Sequence, residues 1–380
     1  MKIVYLINGL NGGGAAFPMV QVLGLMQELG HEVKVLALLS QDGKAAPRLA
    51  QAGIPWEVLG DHPWSVVGPA MRLVHRLRDD RPDLLWTSLT RGTLYGQLAG
   101  RLLGIPVVSW QHSDYLKPAN LAMLRRTRRL SSRWIADSEA VAEFTRSRLG
   151  VPADRIDIWP PFVADPELPV ATAWPGSGPF RLGSLGRLHH SKQYAVLLRA
   201  FARARELDAA SAARLELQLA GDGEERAALE SLAGELGLGA VLRFRGFVSP
   251  PAEFLSGLHG YVQTSLKEGF CIAAHEAMLA GLPVVATRVG ELARSVRPGE
   301  TGWLCDVGDI EGLAQAMLAL ARDPARASSL GAAARAQVLE SHSRERFRGI
   351  GERLLQEIAR EVASDRRHAK AARSASSQHR

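Results

Sequence analysis

Short apolar runs alternate with apolar residues at helical spacing along most of this chain. Ile3-Val4-Tyr5-Leu6-Ile7 reads as a buried strand, residues 15–29 as a helix stopped by Gly30, and residues 32–39 as a second strand. Further apolar runs at 54–59, 84–87, 105–110, 133–136 and 155–159 read as strands. Between them, helical patterns fall at about 44–52, 66–80, 92–104, 118–130 and 138–149. Strands that are apolar on both faces and alternate with helices predict a parallel sheet covered on both sides.

Residues 160–179 break this rhythm with Pro160, Pro161, Pro166, Pro169, Pro175 and Pro179, which is the composition of a linker. A second alternation follows. Strands are predicted at 180–186, 214–220, 240–244, 260–263 and 282–286, and helices at 191–208, 224–237, 250–257 and 270–280. Helical patterns continue at 309–322, 325–340 and 344–362. The expected fold class is α/β, with two doubly wound Rossmann-like domains over 1–165 and 180–343 and a cleft between them.

Composition narrows the function classes. A chain of 380 residues with 46% hydrophobic content has enough apolar material for two cores. Cys271 and Cys305 cannot form a disulfide framework, so a reducing, cytoplasmic setting is the expectation. No stretch reaches the length of a membrane span, and no signal peptide is read before the first strand. The net charge is +7, and residues 363–380 hold five Lys/Arg against one acidic residue, which reads as a disordered basic tail. No basic stripe is interleaved with aromatics, so nucleic acid is not an expected partner.

The stretch 264–286 concentrates the chemistry. Glu268-Gly269-Phe270-Cys271-Ile272 lies where a strand gives way to a helix, a place where free amides and the helix dipole suit a phosphate. Glu276 follows Glu268 by eight residues, a little over two helical turns, so both can face one cleft. Taken alone, each glutamate reads equally well as a helix-surface carboxylate. In sequence, Ser-x-x-Glu-Gly-Phe followed by Glu-Ala-Met-x-Ala-Gly-x-Pro-Val-Val-Ala resembles the donor-site signature of retaining glycosyltransferases of family 4 (glycosyl transferases group 1).

The resemblance implies a two-Rossmann-domain fold whose last helix, here 344–362, packs back on the first domain. It implies that the first domain binds acceptor and the second the nucleotide sugar. Glu268 would contact the transferred sugar, Glu276 the nucleotide ribose, and the amides of Gly269, Phe270, Cys271 and Ile272 the diphosphate.

Other segments complete the expected site. Gly13 and Gly14 follow the first strand without matching Gly-x-Gly-x-x-Gly, and no acid ends the second strand, which argues against a nicotinamide enzyme. They read either as a simple turn or as a glycine loop meeting the donor diphosphate. Arg187 and Lys192 read either as solvated cations or as a paired grip on a diphosphate, and they resemble the family's Gly-Arg…Lys-Gly segment with Gln193 in place of its glycine. Asp222, after Gly221, is expected to cap the helix that follows, and in the family this turn also shapes the nucleotide pocket. Val248 ends a segment matching the family's base-binding strand end. A lone histidine is most often structural, but His112 stands where the family often has a sugar contact. Arg125, Arg126, Arg128 and Arg129, with Arg133 nearby, read as a solvated face or as a contact with anionic lipid.

The expected activity is therefore metal-independent, retaining transfer of a sugar from a UDP- or GDP-linked donor to an acceptor hydroxyl. No cofactor is expected, and no Asp-x-Asp triplet offers a metal bridge. A saccharide or lipid-linked acceptor and cell-envelope polysaccharide, lipopolysaccharide or glycolipid synthesis are the expected context, at the inner face of the membrane. The competing readings are a nucleotide-sugar epimerase or phosphorylase, and a degenerate binding subunit. The last is prompted by Ala15 and Ala16, by Arg294, and by Pro160-Pro161, all departures from the family pattern.

Overall fold

The apolar runs of the first half become the strands of one parallel sheet. The computed structural model describes residues 1–11, 13, 16–39, 42–60 and 67–377, excepting the side chains of 365, 366 and 368–377. Among them, β1 (Lys2–Gly9), β2 (Glu32–Leu39), β3 (Trp56–Val58), β4 (Leu84–Ser88), β5 (Val107–Gln111), β6 (Arg133–Ala136) and β7 (Ile156–Ile158) lie in the order β3-β2-β1-β4-β5-β6-β7. Ile3 to Ile7 of β1 are fully buried, as a strand covered on both faces must be. The order reverses between β1 and β4, and ligands of such sheets bind beyond the strand ends at that reversal.

The second alternation gives a second parallel sheet. Its strands are β8 (Phe180–Leu185), β9 (Leu215–Ala220), β10 (Leu242–Gly246), β11 (Gly260–Gln263), β12 (Val284–Thr287) and β13 (Gly302–Cys305), in the order β10-β9-β8-β11-β12-β13. Leu182, Leu217 and Val262 from the strands meet Leu197, Phe201, Met317 and Leu320 from the helices Tyr194–Leu207 and Ile310–Arg322 in one core.

The chain divides into two units, Met1–Phe162 together with the chain from Glu345 on, and Val163–Arg344. Most of the proline-rich segment therefore belongs to the second unit rather than running free. The backbone of Ala164 bonds to His342 and that of Ala171 to Ala280, each at 2.8 Å, and Trp174 packs edge-on against Phe180. Proline stiffens this segment, but the amides of Ala164 and Ala171 and the ring of Trp174 find partners.

The last helix, Arg344–Ser377, is longer than the pattern 344–362 and carries on through the stretch whose composition reads as a tail. Alanine, arginine and lysine are strong helix formers, so low apolar content does not forbid a helix there. Residues 378–380 lie outside the described part. Phe347, Leu354, Leu355, Ile358 and Val362 form its buried face. Arg133 joins this helix to the first sheet, within 3.0 Å of Asp157, Glu357 and Glu361. Gly351 sits so close to the first unit that a Cβ there would lie 2.6 Å from both Leu25 and Trp159.

Gly351→Val should therefore lower the stability of the first unit by about 1–3 kcal/mol through overpacking. Denaturant unfolding measures this, and an unchanged midpoint would mean that the last helix is not seated on Leu25 and Trp159.

Candidate functional site

Two polar networks stand out, one in each unit. In the second unit, β11 ends at Gln263 and the helix Ile272–Leu279 begins two residues later than the periodicity predicts. The delay is caused by Cys271, whose left-handed φ of 67° turns the chain just before the helix and leaves Phe270 outside it. Glu268 lies in the turn between strand and helix, its side chain only 11% exposed. Its Oε1 accepts from Lys192 Nζ at 2.5 Å, from Ser265 Oγ at 2.6 Å and from Gln263 Nε2 at 3.4 Å. Burial works against the Lys192 ammonium, but the Glu268 charge, with smaller help from its other neighbours, raises its pKa overall. Burial also pushes the Cys271 thiol up, so it is protonated at neutral pH.

Lys192 comes from the loop after β8, and two bonds pin that loop to the turn. Thr264 Oγ1 donates to the Lys192 carbonyl at 3.0 Å, and the Leu266 N–H donates to Ser191 O at 2.8 Å. Gln193, where the resembling families carry glycine, adopts the left-handed conformation that glycine favours, with φ 56°.

Arg187 is placed differently. Its exposed guanidinium pairs with Glu224 Oε2 at 3.0 Å, so Arg187 and Lys192 each hold a separate carboxylate. Gly221 lies where a Cβ would sit 1.8 Å from the Gly186 carbonyl, which brings the turns after β8 and β9 into backbone contact. Asp222 does not cap the following helix. That helix is Arg226–Glu235, and the Asp222 carboxylate instead accepts from the adjacent Gly223 N–H at 2.9 Å. Gly269 and Phe270 are buried, and Glu276, Ile272 and Val248 are half-buried. Phe270 stacks on His275 with centroids 4.0 Å apart. The sequence gives no sign of Tyr261, Gln263, Ser265 or His275 as parts of this site, because buried polar residues within strands and helices carry no motif of their own.

In the first unit His112 follows β5 and is held at both ring nitrogens. Nδ1 donates to the Asp137 carboxylate at 3.0 Å, and Nε2 pairs with Ser88 Oγ at 2.7 Å. Trp110 stacks beside the imidazole and donates from Nε1 to Asp137 at 2.6 Å. Gly13 lies where an added Cβ would meet nothing within 4 Å, so no close approach requires glycine there. Gly14 and Ala15 lie outside the described residues.

The arginine cluster is smaller than it reads. Arg125, Arg126 and Arg129 are exposed, whereas Arg128 Nε donates to the Gly150 carbonyl at 2.8 Å and Arg133 is committed to its three carboxylates. Among the described residues, no group of three or more His, Cys, Asp and Glu side chains is placed to hold a metal ion. Nor is any helix long and apolar enough to cross a membrane.

Two units, each built on a parallel α/β sheet, place the chain in the two-Rossmann-domain (GT-B) fold class. The chain belongs to the glycosyl transferases group 1 family: that family's model matches residues 174–337, and the model for Glycosyltransferase Family 4 matches residues 12–165. It is 31% identical to the D-inositol 3-phosphate glycosyltransferase of an Arthrobacter species, over 74% of this chain and 72% of that one. It is 28% identical to the lipopolysaccharide core biosynthesis glycosyltransferase LpsE of Rhizobium meliloti, over 67% and 69% of the two chains. The crystal structure of Anabaena HepE in complex with UDP and glucose shares its fold, with a TM-score of 0.81 at 22% identity, covering 94% of this chain and 99% of that one.

His275 supplies a pH test of this region. Its Nδ1 donates to the Cys271 carbonyl and its Nε2 accepts from Ser295 Oγ, so the ring is neutral, and burial pushes its pKa down to about 3. An unfolded histidine titrates near 6.5. The stability this group contributes is whole above about pH 6.5 and is lost as the pH falls toward 3, by a few kcal/mol at most. The unfolding midpoint should fall less steeply between pH 7 and pH 4 in His275→Gln than in the parent. Equal slopes would mean that His275 is not held neutral.

Proposed function

We propose that the protein is a retaining, metal-independent glycosyltransferase that moves a sugar from a UDP- or GDP-linked donor to an acceptor hydroxyl. The observation that carries this reading is the Glu268–Lys192 pair just before the helix Ile272–Leu279, with Glu276 about one turn into that helix. The names of the relatives point the same way, toward sugar transfer, in one of them for lipopolysaccharide core biosynthesis. Glu268 binds the transferred sugar, Glu276 the ribose, and Lys192, Arg187 and the amides 269–272 neutralise the diphosphate as charge develops on it. Gly221, Asp222 and Val248 of the second unit shape the pocket for the rest of the nucleotide.

In this mechanism the bond between the anomeric carbon and the phosphate oxygen breaks, and the diphosphate leaves with the electron pair. The acceptor oxygen bonds to the same face of that carbon, and its proton passes to the leaving phosphate oxygen. No protein general base is required. The acceptor is a saccharide or lipid-linked saccharide at the inner face of a bacterial membrane, where Arg125, Arg126 and Arg129 meet anionic headgroups at roughly 1 kcal/mol each.

Release of UDP or GDP from a panel of nucleotide sugars identifies the donor. Transfer to an acceptor, rather than donor interconversion or phosphorolysis, separates this activity from an epimerase or a phosphorylase, and a panel with no turnover would point to a binding subunit. Loss of a charge-assisted contact costs about 1.5–3 kcal/mol, on the order of 10- to 150-fold. Glu268→Ala should lose turnover by that factor, and Glu276→Ala should lose affinity for the free nucleotide. If both keep parental values, the site is misplaced.

Lys192→Ala and Arg187→Ala should each lose activity, with the larger loss at the buried Lys192, while EDTA leaves the parent unchanged. Strict dependence on Mg²⁺ or Mn²⁺ after dialysis would overturn the charge assignment. In protein truncated after about residue 362, which removes the basic tail, replacing Arg125, Arg126 and Arg129 together by serine should abolish binding to anionic vesicles at low salt, and unchanged binding would assign the cluster to solvent.

A further inference from the structure

Three buried side chains behind Glu268 have no place in the reaction as described. Tyr261 and Gln263 are alternate residues of β11, so they point to the same side of the sheet, and Ser265 continues the series past the strand end. Tyr261 and Ser265 have no exposed surface, and Gln263 has 1%. Their hydrogen bonds run in one direction. The Leu185 N–H donates to the Tyr261 hydroxyl at 3.2 Å, and that hydroxyl lies 2.8 Å from Gln263 Oε1 and 3.1 Å from the Leu185 carbonyl, the shorter contact taking its proton. With its oxygen so occupied, the Gln263 amide turns its NH₂ toward Ser265 Oγ at 2.7 Å and Glu268 Oε1 at 3.4 Å. Ser265 Oγ accepts from Gln263 and so spends its own proton on Glu268 Oε1 at 2.6 Å. The Lys192 ammonium reaches the same oxygen from the other side.

A carboxylate that accepts three donors on one oxygen is fixed in orientation. We infer that Tyr261, Gln263 and Ser265 form a positioning relay that clamps Glu268 through Oε1 and so turns its other oxygen, Oε2, toward a hydroxyl of the donor sugar. The inference rests on the proposed role of Glu268 in sugar binding. The relay gives the carboxylate a fixed aim that a glutamate in a turn lacks, because free rotation about its side-chain torsions would scatter it. The amide of Gln263 is the pivot. If it were reversed, its carbonyl would face the Ser265 oxygen and the Glu268 carboxylate, so the Tyr261 hydroxyl selects the productive orientation.

The test uses the full chain and release of UDP from UDP-glucose or GDP from GDP-mannose, with Tyr261→Phe, Gln263→Leu and Glu268→Gln alone and in pairs. Tyr261→Phe removes one hydroxyl and keeps the ring, and it carries the test if Gln263→Leu fails to fold. Each relay variant should lower kcat by roughly 2- to 10-fold, the worth of a hydrogen bond to an aligned group, with affinity for the free nucleotide unchanged. In the Glu268→Gln background the same changes should cost little more, because the group they aim has already been altered. A purely structural role would give losses that add across both backgrounds. If Glu268→Gln itself keeps parental turnover, the proposed role of Glu268 fails. If Glu268→Gln is impaired while folded Tyr261→Phe keeps parental kcat, or its loss is additive, the relay alone is overturned.

Discussion

The second unit is built around an ammonium and a carboxylate 2.5 Å apart and mostly out of water. Taking two charges from solvent costs several kcal/mol for each ion, and attraction offsets this only where geometry and further hydrogen bonds are good. The surroundings meet that condition. Thr264 and the Leu266 amide hold the Lys192 loop in place, and Ser265 and Gln263 supply the extra donors. An anionic ligand arriving at Lys192 finds the ammonium already neutralised, so it must share the cation with Glu268 or draw it away. The exposed Arg187–Glu224 pair faces no such exchange, because solvent screens it.

The first unit solves a related problem without a lysine. Asp137 is 3% exposed and is satisfied by donors from Trp110 and His112. Fixing Nδ1 on Asp137 leaves Nε2 as the other polar atom of the His112 ring, and Ser88 already occupies it at 2.7 Å. A sugar hydroxyl that bonds to His112 Nε2 must therefore compete with a buried serine. The stacked Trp110 ring keeps the imidazole from swinging aside to escape that competition.

Much of this was legible in the residues. The alternation of apolar runs gave both parallel sheets, and the strand–Glu–Gly–helix stretch located Glu268 but not its pairing with Lys192, which reads from sequence as the partner of Arg187. Boundaries were less legible. A left-handed residue such as Cys271 is not marked by its chemistry, so the helix begins later than its periodicity suggests. Asp222 looked like a helix cap because caps are read from spacing, whereas the chain makes an extra turn before Arg226. Arg128 and Arg133 joined a charge run in sequence although the fold commits both to internal partners. The donors behind Glu268 were invisible for a different reason. A buried Gln or Tyr looks like any strand residue until its partners, brought from far along the chain, are known.

The return of the last helix to the first unit makes the second unit an insertion. The first sheet is complete in sequence by Ile158, yet Arg133, Leu25 and Trp159 wait for partners that begin only at Phe347 and end at Glu361. During synthesis the inserted unit is contiguous and can fold as soon as it has emerged. The unit that starts the chain finishes last. Trp159 stays without its Phe347 partner while some two hundred further residues are made, and transiently exposed apolar surface of that kind favours aggregation.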